Sequence, residues 1–97
     1  MLKHLFANRF FSISNPEKKV RILNVNCQSI HKNLAYEDFL FYNDDLKYPT
    51  LMLWRNSKNI VIGKHQNPWK ECHLQKMNED NIALSRRKSG GGAVYQD

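Results

Sequence analysis

Two adjacent arginines, a lysine, a serine and three consecutive glycines, Arg86-Arg-Lys-Ser-Gly-Gly-Gly92, make the densest run of anion-handling groups in this chain. Guanidinium groups meet phosphate or carboxylate through charge-assisted, often paired hydrogen bonds. A backbone without Cβ atoms reaches positive φ and comes close to a ligand, so several N–H groups can converge on an anion. The chemistry on offer is therefore the binding of an anion and the offsetting of its charge. The spacing is neither the Gly-x-x-x-x-Gly-Lys-Ser/Thr of a phosphate loop nor the Gly-x-Gly-x-x-Gly of a dinucleotide site. On loop chemistry alone, the run also reads as a flexible hairpin connection.

The flanks must position it. Ile82 to Arg87 alternates apolar with small or polar residues, and Ala93-Val-Tyr-Gln96 is short and β-prone, which predicts a strand on each side of the glycines. Side chains alternate along a strand, so Arg86 and Arg87 project to opposite faces and one of them looks into the loop's cavity. Other candidate chemistry is weaker. Cys72, His73 and His65 match no zinc spacing, and no metal site is expected. Glu37 and Asp38 are adjacent on a helix and face different directions, which argues against a paired-carboxylate acid/base site.

Several segments carry a family resemblance. Arg86-Arg-Lys-Ser-Gly-Gly-Gly-Ala-Val-Tyr-Gln-Asp97 resembles the Arg-Arg-x-Ser-Gly-Gly-Gly-Ala-Val-Phe/Tyr-His-Asp signature of lipoate-protein ligases and lipoyltransferases, with Gln96 where the signature has histidine. Leu53-Trp-Arg-Asn56, Val61 to Cys72, Met77-Asn-Glu-Asp-Asn81 and Leu34-Ala-Tyr-Glu-Asp38 are similar to further segments of that family in the same order. The resemblance runs from about Leu23 to Asp97. It implies the fold shared with biotin-protein ligases and class II synthetases. It also places the family's catalytic lysine beyond Asp97, so no catalytic residue is assigned within the chain, and residues 20–97 read as the N-terminal portion of a catalytic domain.

The activity implied is transfer of lipoate from its mixed anhydride with AMP to the ε-amine of a lysine on a lipoyl carrier domain. The implied substrate is lipoyl-AMP, or lipoate plus ATP and Mg2+ in members that also activate the acid. The matching binding positions are Arg87, Gly92, Ala93, Val94 and Tyr95, with Arg86, Ser89, Gly90 and Gly91 supporting the loop. Implied partners are the carrier domains of 2-oxoacid dehydrogenase complexes and the glycine cleavage carrier protein, met by a monomer. Neither nucleic acid nor membrane is expected as a partner. The competing reading, from charge alone, is a small basic module that binds nucleic acid or another polyanion through Arg86, Arg87 and Lys88.

Composition sets the bounds. Ninety-seven residues allow one small domain or part of one, and 41% apolar content with 25% charged residues is that of a globular chain. No apolar run reaches the ~18 residues that span a bilayer. Two cysteines, Cys27 and Cys72, suit a reducing compartment better than a disulfide framework. The formal charge is +6, with Lys3 and Arg9 contributing in a first segment that has no acid before Glu17. There Leu2, Leu5, Phe6, Phe10 and Ile13 fall near one helical face, the pattern of a mitochondrial transit peptide, and residues 1–19 are assigned to such a peptide and a linker. The matrix is the expected location.

In chain order, Val20 to Cys27 predicts a strand. Ser29 caps a helix through Leu34, Ala35, Phe39 and Tyr42 to about Asn43, with an aromatic buried face. Residues 43–49 break it. Thr50-Leu-Met-Leu-Trp54 reads as a strand buried on both faces and forms an antiparallel hairpin with Asn59 to Gly63, and Gly63 lets backbone come close to a neighbour or a ligand. Asn67-Pro68 starts a turn of helix anchored by Trp69, and a short helix from His73 carries Leu74 and Met77 inward. The expected fold is α+β, a mixed, largely antiparallel sheet with flanking helices.

Overall fold

The structure, a computed structural model, describes residues 6–12, 19–43 and 48–97, with side chains from Lys19 onward. The sequence assignments at 1–5, 13–18 and 44–47 lie outside the described residues. Strand β1 (Phe6–Ser12) runs antiparallel to β2 (Lys19–Val25), in register from Phe6 opposite Val25 to Ser12 opposite Lys19. The helical face anticipated for the first segment is therefore a strand across 6–12. Three of its seven residues are phenylalanines, which favour extended backbone where a strand edge is on offer.

From β2 the chain enters helix α1 (Ile30–Asn43) and returns in β3 (Thr50–Leu53), parallel to β2. The Asn33 N–H donates to the Ser29 carbonyl (3.0 Å), whereas the Ser29 hydroxyl accepts from Lys32 N only at 3.5 Å, so the cap is weak. The buried residues of α1 are Ile30 and Asn33, both in its first turn. The aromatic face expected to be buried is exposed instead, with Phe39 at 52%, Phe41 at 70% and Tyr42 at 68%. The helix packs through its N-terminal end and carries these rings outward, Phe41 and Tyr42 edge to face at 5.2 Å.

The hairpin expected of β3 and the next strand, β4 (Asn59–Ile62), does not form. The two lie in different sheets, of order β1-β2-β3 and β5-β4-β6. Both edges of β4 are occupied, by β5 (Ala83–Arg86) in parallel and by β6 (Val94–Gln96) antiparallel, which leaves β3 no place beside it. Burial follows suit. Strand β4 holds Asn59, Val61 and Ile62 buried, while Leu51 and Leu53 of β3 are each 48% exposed, so the strand closed in on both faces is β4 rather than β3. Among the described strands two pairings are antiparallel and two parallel, and the α+β architecture is the one anticipated.

Between β4 and β5 stand two short helices, α2 (Pro68–Glu71) and α3 (Leu74–Glu79). Asn67 caps α2 as expected, its Oδ1 accepting from Trp69 N at 3.0 Å ahead of a proline that lacks the N–H. Trp69, expected to anchor this turn, is 78% exposed and contributes no buried anchor. His73 caps α3 through Nδ1, which accepts from Lys76 N at 3.1 Å, and Met77 is buried. The helix ends in a Schellman turn. Asn81 takes φ 56°, its N–H donates to Asn78 O, and Ile82 N–H donates to Met77 O at 2.8 Å, which satisfies the last carbonyls and aims the chain into β5.

Candidate functional site

The glycine run joins β5 to β6, and β4 lies between those two strands, so the run crosses the C-terminal end of β4 instead of closing a hairpin. That placement sets the rest. Arg87 N–H donates to Ile62 O (3.0 Å) and Lys64 N–H to Ser89 O (2.9 Å), which ties both limbs of the loop to the strand end. Gly63, directly after β4, faces the loop at such short range that a Cβ there would overlap the Gly91 carbonyl oxygen. Gly91 has φ 104°, and a Cβ on it would stand 2.8 Å from Arg87 Nη2, so no other residue suits the position without strain. Gly90 and Gly92 have open space where a Cβ would go.

The two arginines divide as strand alternation predicts. Arg87 turns into the loop: Nε and Nη2 donate to Gly90 O (3.2 and 2.9 Å), Nη2 also to Gly92 O (2.7 Å), and Nη1 to Val61 O (3.4 Å). Arg86 goes the other way, its Nη1 donating to the carbonyls of Gly63 (3.3 Å), Lys64 (3.1 Å) and Gln66 (2.6 Å). Arg86 thus gathers the carbonyls of one turn, and Arg87 those of the glycine loop together with one from β4. Because a peptide is planar and trans, drawing in the carbonyls of Gly90 and Gly92 turns the N–H groups of Gly91 and Ala93 away from the guanidinium. Arg87 absorbs the negative ends of those peptide dipoles and leaves the positive ends facing outward. Such an arrangement suits an anion.

Beside the loop runs a groove of about 580 Å³, walled by α1 (Leu34, Phe41), Trp54, Arg87 and the β6 residues Val94 and Gln96. Ser89 and Lys88 form its rim. Lys88 Nζ lies 3.1 Å from Asp38 Oδ2 and 5.1 Å from the centre of the Tyr42 ring, which joins the loop to α1 across the groove. The Glu37 carboxyl on the same wall is pushed above the ordinary carboxylate value, first by partial desolvation and then by the Asp38 charge beside it. Among the described residues no three His, Cys, Asp or Glu side chains gather to hold a metal ion. Of the predicted positions, Arg86, Arg87, Ser89 and Val94 line the groove, whereas Gly90, Gly91, Gly92, Ala93 and Tyr95 are not on its wall.

Gly63 brings backbone against backbone as expected and forms the floor against which the loop is laid. Sequence reasoning missed Gln66 and a pair of asparagines. The Gln66 side chain accepts from Gly63 N–H at 2.9 Å and shapes the turn that Arg86 holds. A buried amide cluster, Asn33 with Asn56, backs the groove, Asn33 Nδ2 donating to Asn56 Oδ1 at 2.6 Å. Asparagines give no sequence signal for such a role, since the same residue caps helices and turns.

Comparison with known proteins places this geometry. The mouse mitochondrial lipoyl amidotransferase LIPT1 is 52% identical over 77 residues, which cover 78% of this chain and 21% of that protein. The crystal structure of Plasmodium falciparum LipL1 in complex with lipoate superposes with TM-score 0.70 at 47% identity, over 80% of this chain and 27% of that one. A lipoate-protein ligase A bound with ATP does so with TM-score 0.68 at 32% identity, over 84% and 33%. The chain therefore spans about a fifth of the length of the curated relative and a third or less of the solved ones. The model of the lipoyl protein ligase A/B catalytic domain matches residues 29–97, from the cap of α1 through the glycine loop and β6, and the chain belongs to that family.

Proposed function

We propose that this chain forms the adenylate-facing wall of an enzyme of protein lipoylation, which transfers lipoate from lipoyl-AMP to the ε-amine of a lysine on a lipoyl carrier domain. The observation that carries the proposal is the Arg87-ordered loop. It turns peptide N–H groups outward beside a groove whose apolar walls suit a long acyl arm. Gly92, Ala93, Val94 and Tyr95 would supply backbone to the phosphate and adenosine, with Arg87, Arg86, Ser89, Gly90 and Gly91 holding them in place. The ε-amine attacks the acyl carbon and AMP departs; this wall stabilises the charge on the departing phosphate, and the family's lysine would come from outside these 97 residues. With no metal-holding cluster among the described residues, no step here is assigned to Mg2+.

A polyanion-binding module would present its basic residues outward in a patch. Here Arg86 and Arg87 are engaged with backbone carbonyls and Lys88 with Asp38, which favours the enzyme reading. Carrier domains of 2-oxoacid dehydrogenase complexes and of the glycine cleavage system are the proposed acceptors. Import into the mitochondrial matrix, with loss of about the first dozen residues, is proposed from the cationic, acid-free first segment. Terminal sequencing of matrix protein tests import, and an intact Met1 would refute it. For the activity, lipoyl-AMP is given to the whole protein with a carrier domain. Labelling of the carrier lysine is expected, and salt-sensitive nucleic-acid binding without labelling would support the other reading.

A further inference from the structure

A chain of three amides leads from the interior of the fold to the groove, and its direction is fixed at the buried end. Asn33, 1% exposed, donates from Nδ2 to the Cys27 carbonyl (2.9 Å) and to Asn56 Oδ1 (2.6 Å). A backbone carbonyl accepts and never donates, so Asn33 must present its NH2 to Cys27. The same NH2 reaches Asn56, which must answer with its oxygen, and this orientation leaves Asn33 Oδ1 buried without a partner. Asn56, also buried, then has only its NH2 for the next member, Gln96, whose Oε1 accepts at 3.3 Å. Reversing any one amide would set two donors or two acceptors face to face. Gln96 lines the groove, and with its oxygen turned to Asn56 its Nε2 is a donor with no partner assigned by that chain of amides.

We propose that Gln96 is a ligand-binding residue, a neutral hydrogen-bond donor to an acceptor oxygen of the acyl-phosphate group, with Asn33 and Asn56 as the positioning residues that fix its polarity. This rests on reading the groove as the acyl-adenylate site. Glutamate at 96 can still accept from Asn56 but has nothing to donate. A neutral imidazole can do both, accepting at one nitrogen and donating from the other, and loses the acceptor on protonation. The charged groups around the groove are Glu37 and Asp38 on α1, Arg86 on β5, and Arg87 and Lys88 in the loop; His31 on α1 approaches Ser85 Oγ at 3.4 Å, and Asn59, opposite Gln96 on β4, is neutral. All of these are shared by wild type and variants, so the ratio of affinities at each pH isolates position 96.

The experiment titrates lipoyl-AMP into the whole protein as wild type, Gln96→Glu and Gln96→His at pH 8 and pH 5.5. Gln96→Glu is expected to bind about tenfold more weakly at pH 8. Gln96→His is expected to match wild type at pH 8 and to fall behind it by about tenfold at pH 5.5, as an imidazole of ordinary pKa near 6.5 takes up a proton. Wild-type affinity in Gln96→Glu, or a Gln96→His ratio that does not change with pH, would overturn the proposal. If wild type does not bind lipoyl-AMP at all, the reading of the groove is at fault, and the amide chain is then judged without ligand by NMR. The Gln96 side-chain amide protons should exchange with solvent faster than those of Asn33 and Asn56, and equal protection of all three would refute the polarity assigned to them.

Discussion

A methyl group added to Gly63 would overlap the carbonyl oxygen of Gly91, so the end of β4 and the glycine loop meet backbone to backbone, with no room for a side chain between them. Gly63→Ala should therefore force the loop off its seat and cost about 1–3 kcal/mol, the usual range for overpacking. Gly90→Ala and Gly92→Ala, where an added Cβ meets nothing within 4 Å, should stay within about 0.5 kcal/mol of wild type. Urea midpoints of the three variants check this ranking, and an equal loss at all three would show that the loop is not seated on Gly63.

Gly91 separates folding from binding. At φ 104° a valine is strained by about 1–3 kcal/mol, and its Cβ would press on Arg87 Nη2. The displaced guanidinium would release the carbonyls of Gly90 and Gly92, and with them the outward N–H groups. Gly91→Val should thus weaken lipoyl-AMP binding by more than it lowers stability. Equal losses of the two, compared by titration and thermal unfolding, would return the loop to a plain connection.

What the sequence disclosed, and what it withheld, follows the range of the interactions. Asn67-Pro68 announced its cap because both partners lie within two residues. The opposite projection of Arg86 and Arg87 followed from strand alternation and holds. The hairpin drawn from Thr50 to Gly63 failed because local apolar runs do not say which strand pairs with which; β4 was claimed by β5 and β6 from twenty and more residues away. The buried aromatic face of α1 failed for a related reason. Phe39, Phe41 and Tyr42 are at a helical spacing, but burial also requires a neighbour beneath that end of the helix, and the described sheet reaches only the first turn.

The amide pair behind the groove makes a stability prediction. Asn33→Ala removes the donor to Cys27 O and Asn56 Oδ1 together and leaves a buried acceptor unpaired. A loss of about 2–4 kcal/mol is expected, combining one or two hydrogen bonds with the desolvation left uncompensated. Chemical denaturation measures it. A change below about 0.5 kcal/mol, the size of an ordinary surface substitution, would mean that water satisfies both groups as well as Asn33 does.

Glu37 gives a pH dependence of definite sign. Partial desolvation, and then Asp38, raise its folded-state pKa above the ordinary 4.5, so folding favours the protonated form. Its contribution to stability is fully present below the unfolded-state value and is lost as pH rises through the raised one. Glu37→Gln imitates the protonated state at every pH. The variant should therefore have the higher urea midpoint at pH 7, and its advantage should shrink to nothing by about pH 4. A lower midpoint than wild type at pH 7 would contradict the assignment.

Arg86 and Arg87 test the division of labour between two turns. Arg87→Lys keeps one charge but replaces a planar fork that holds three carbonyls, those of Gly90, Gly92 and Val61, with a single flexible ammonium. The glycine loop should open, and lipoyl-AMP affinity in the whole protein should fall about ten- to a hundredfold, the equivalent of one lost charge-assisted hydrogen bond of ~1.5–3 kcal/mol. Arg86→Lys instead frees the carbonyls of Gly63, Lys64 and Gln66. That turn lies on the other side of Gly63, so its loosening should reach the adenylate only through the Gly63–Gly91 contact, with a smaller loss of affinity. Hydrogen exchange reads the two effects separately: faster exchange at 89–93 in Arg87→Lys, and at 64–66 in Arg86→Lys. Equal affinities in wild type and both variants would mean that neither guanidinium, directly or through the loop it orders, serves the phosphate.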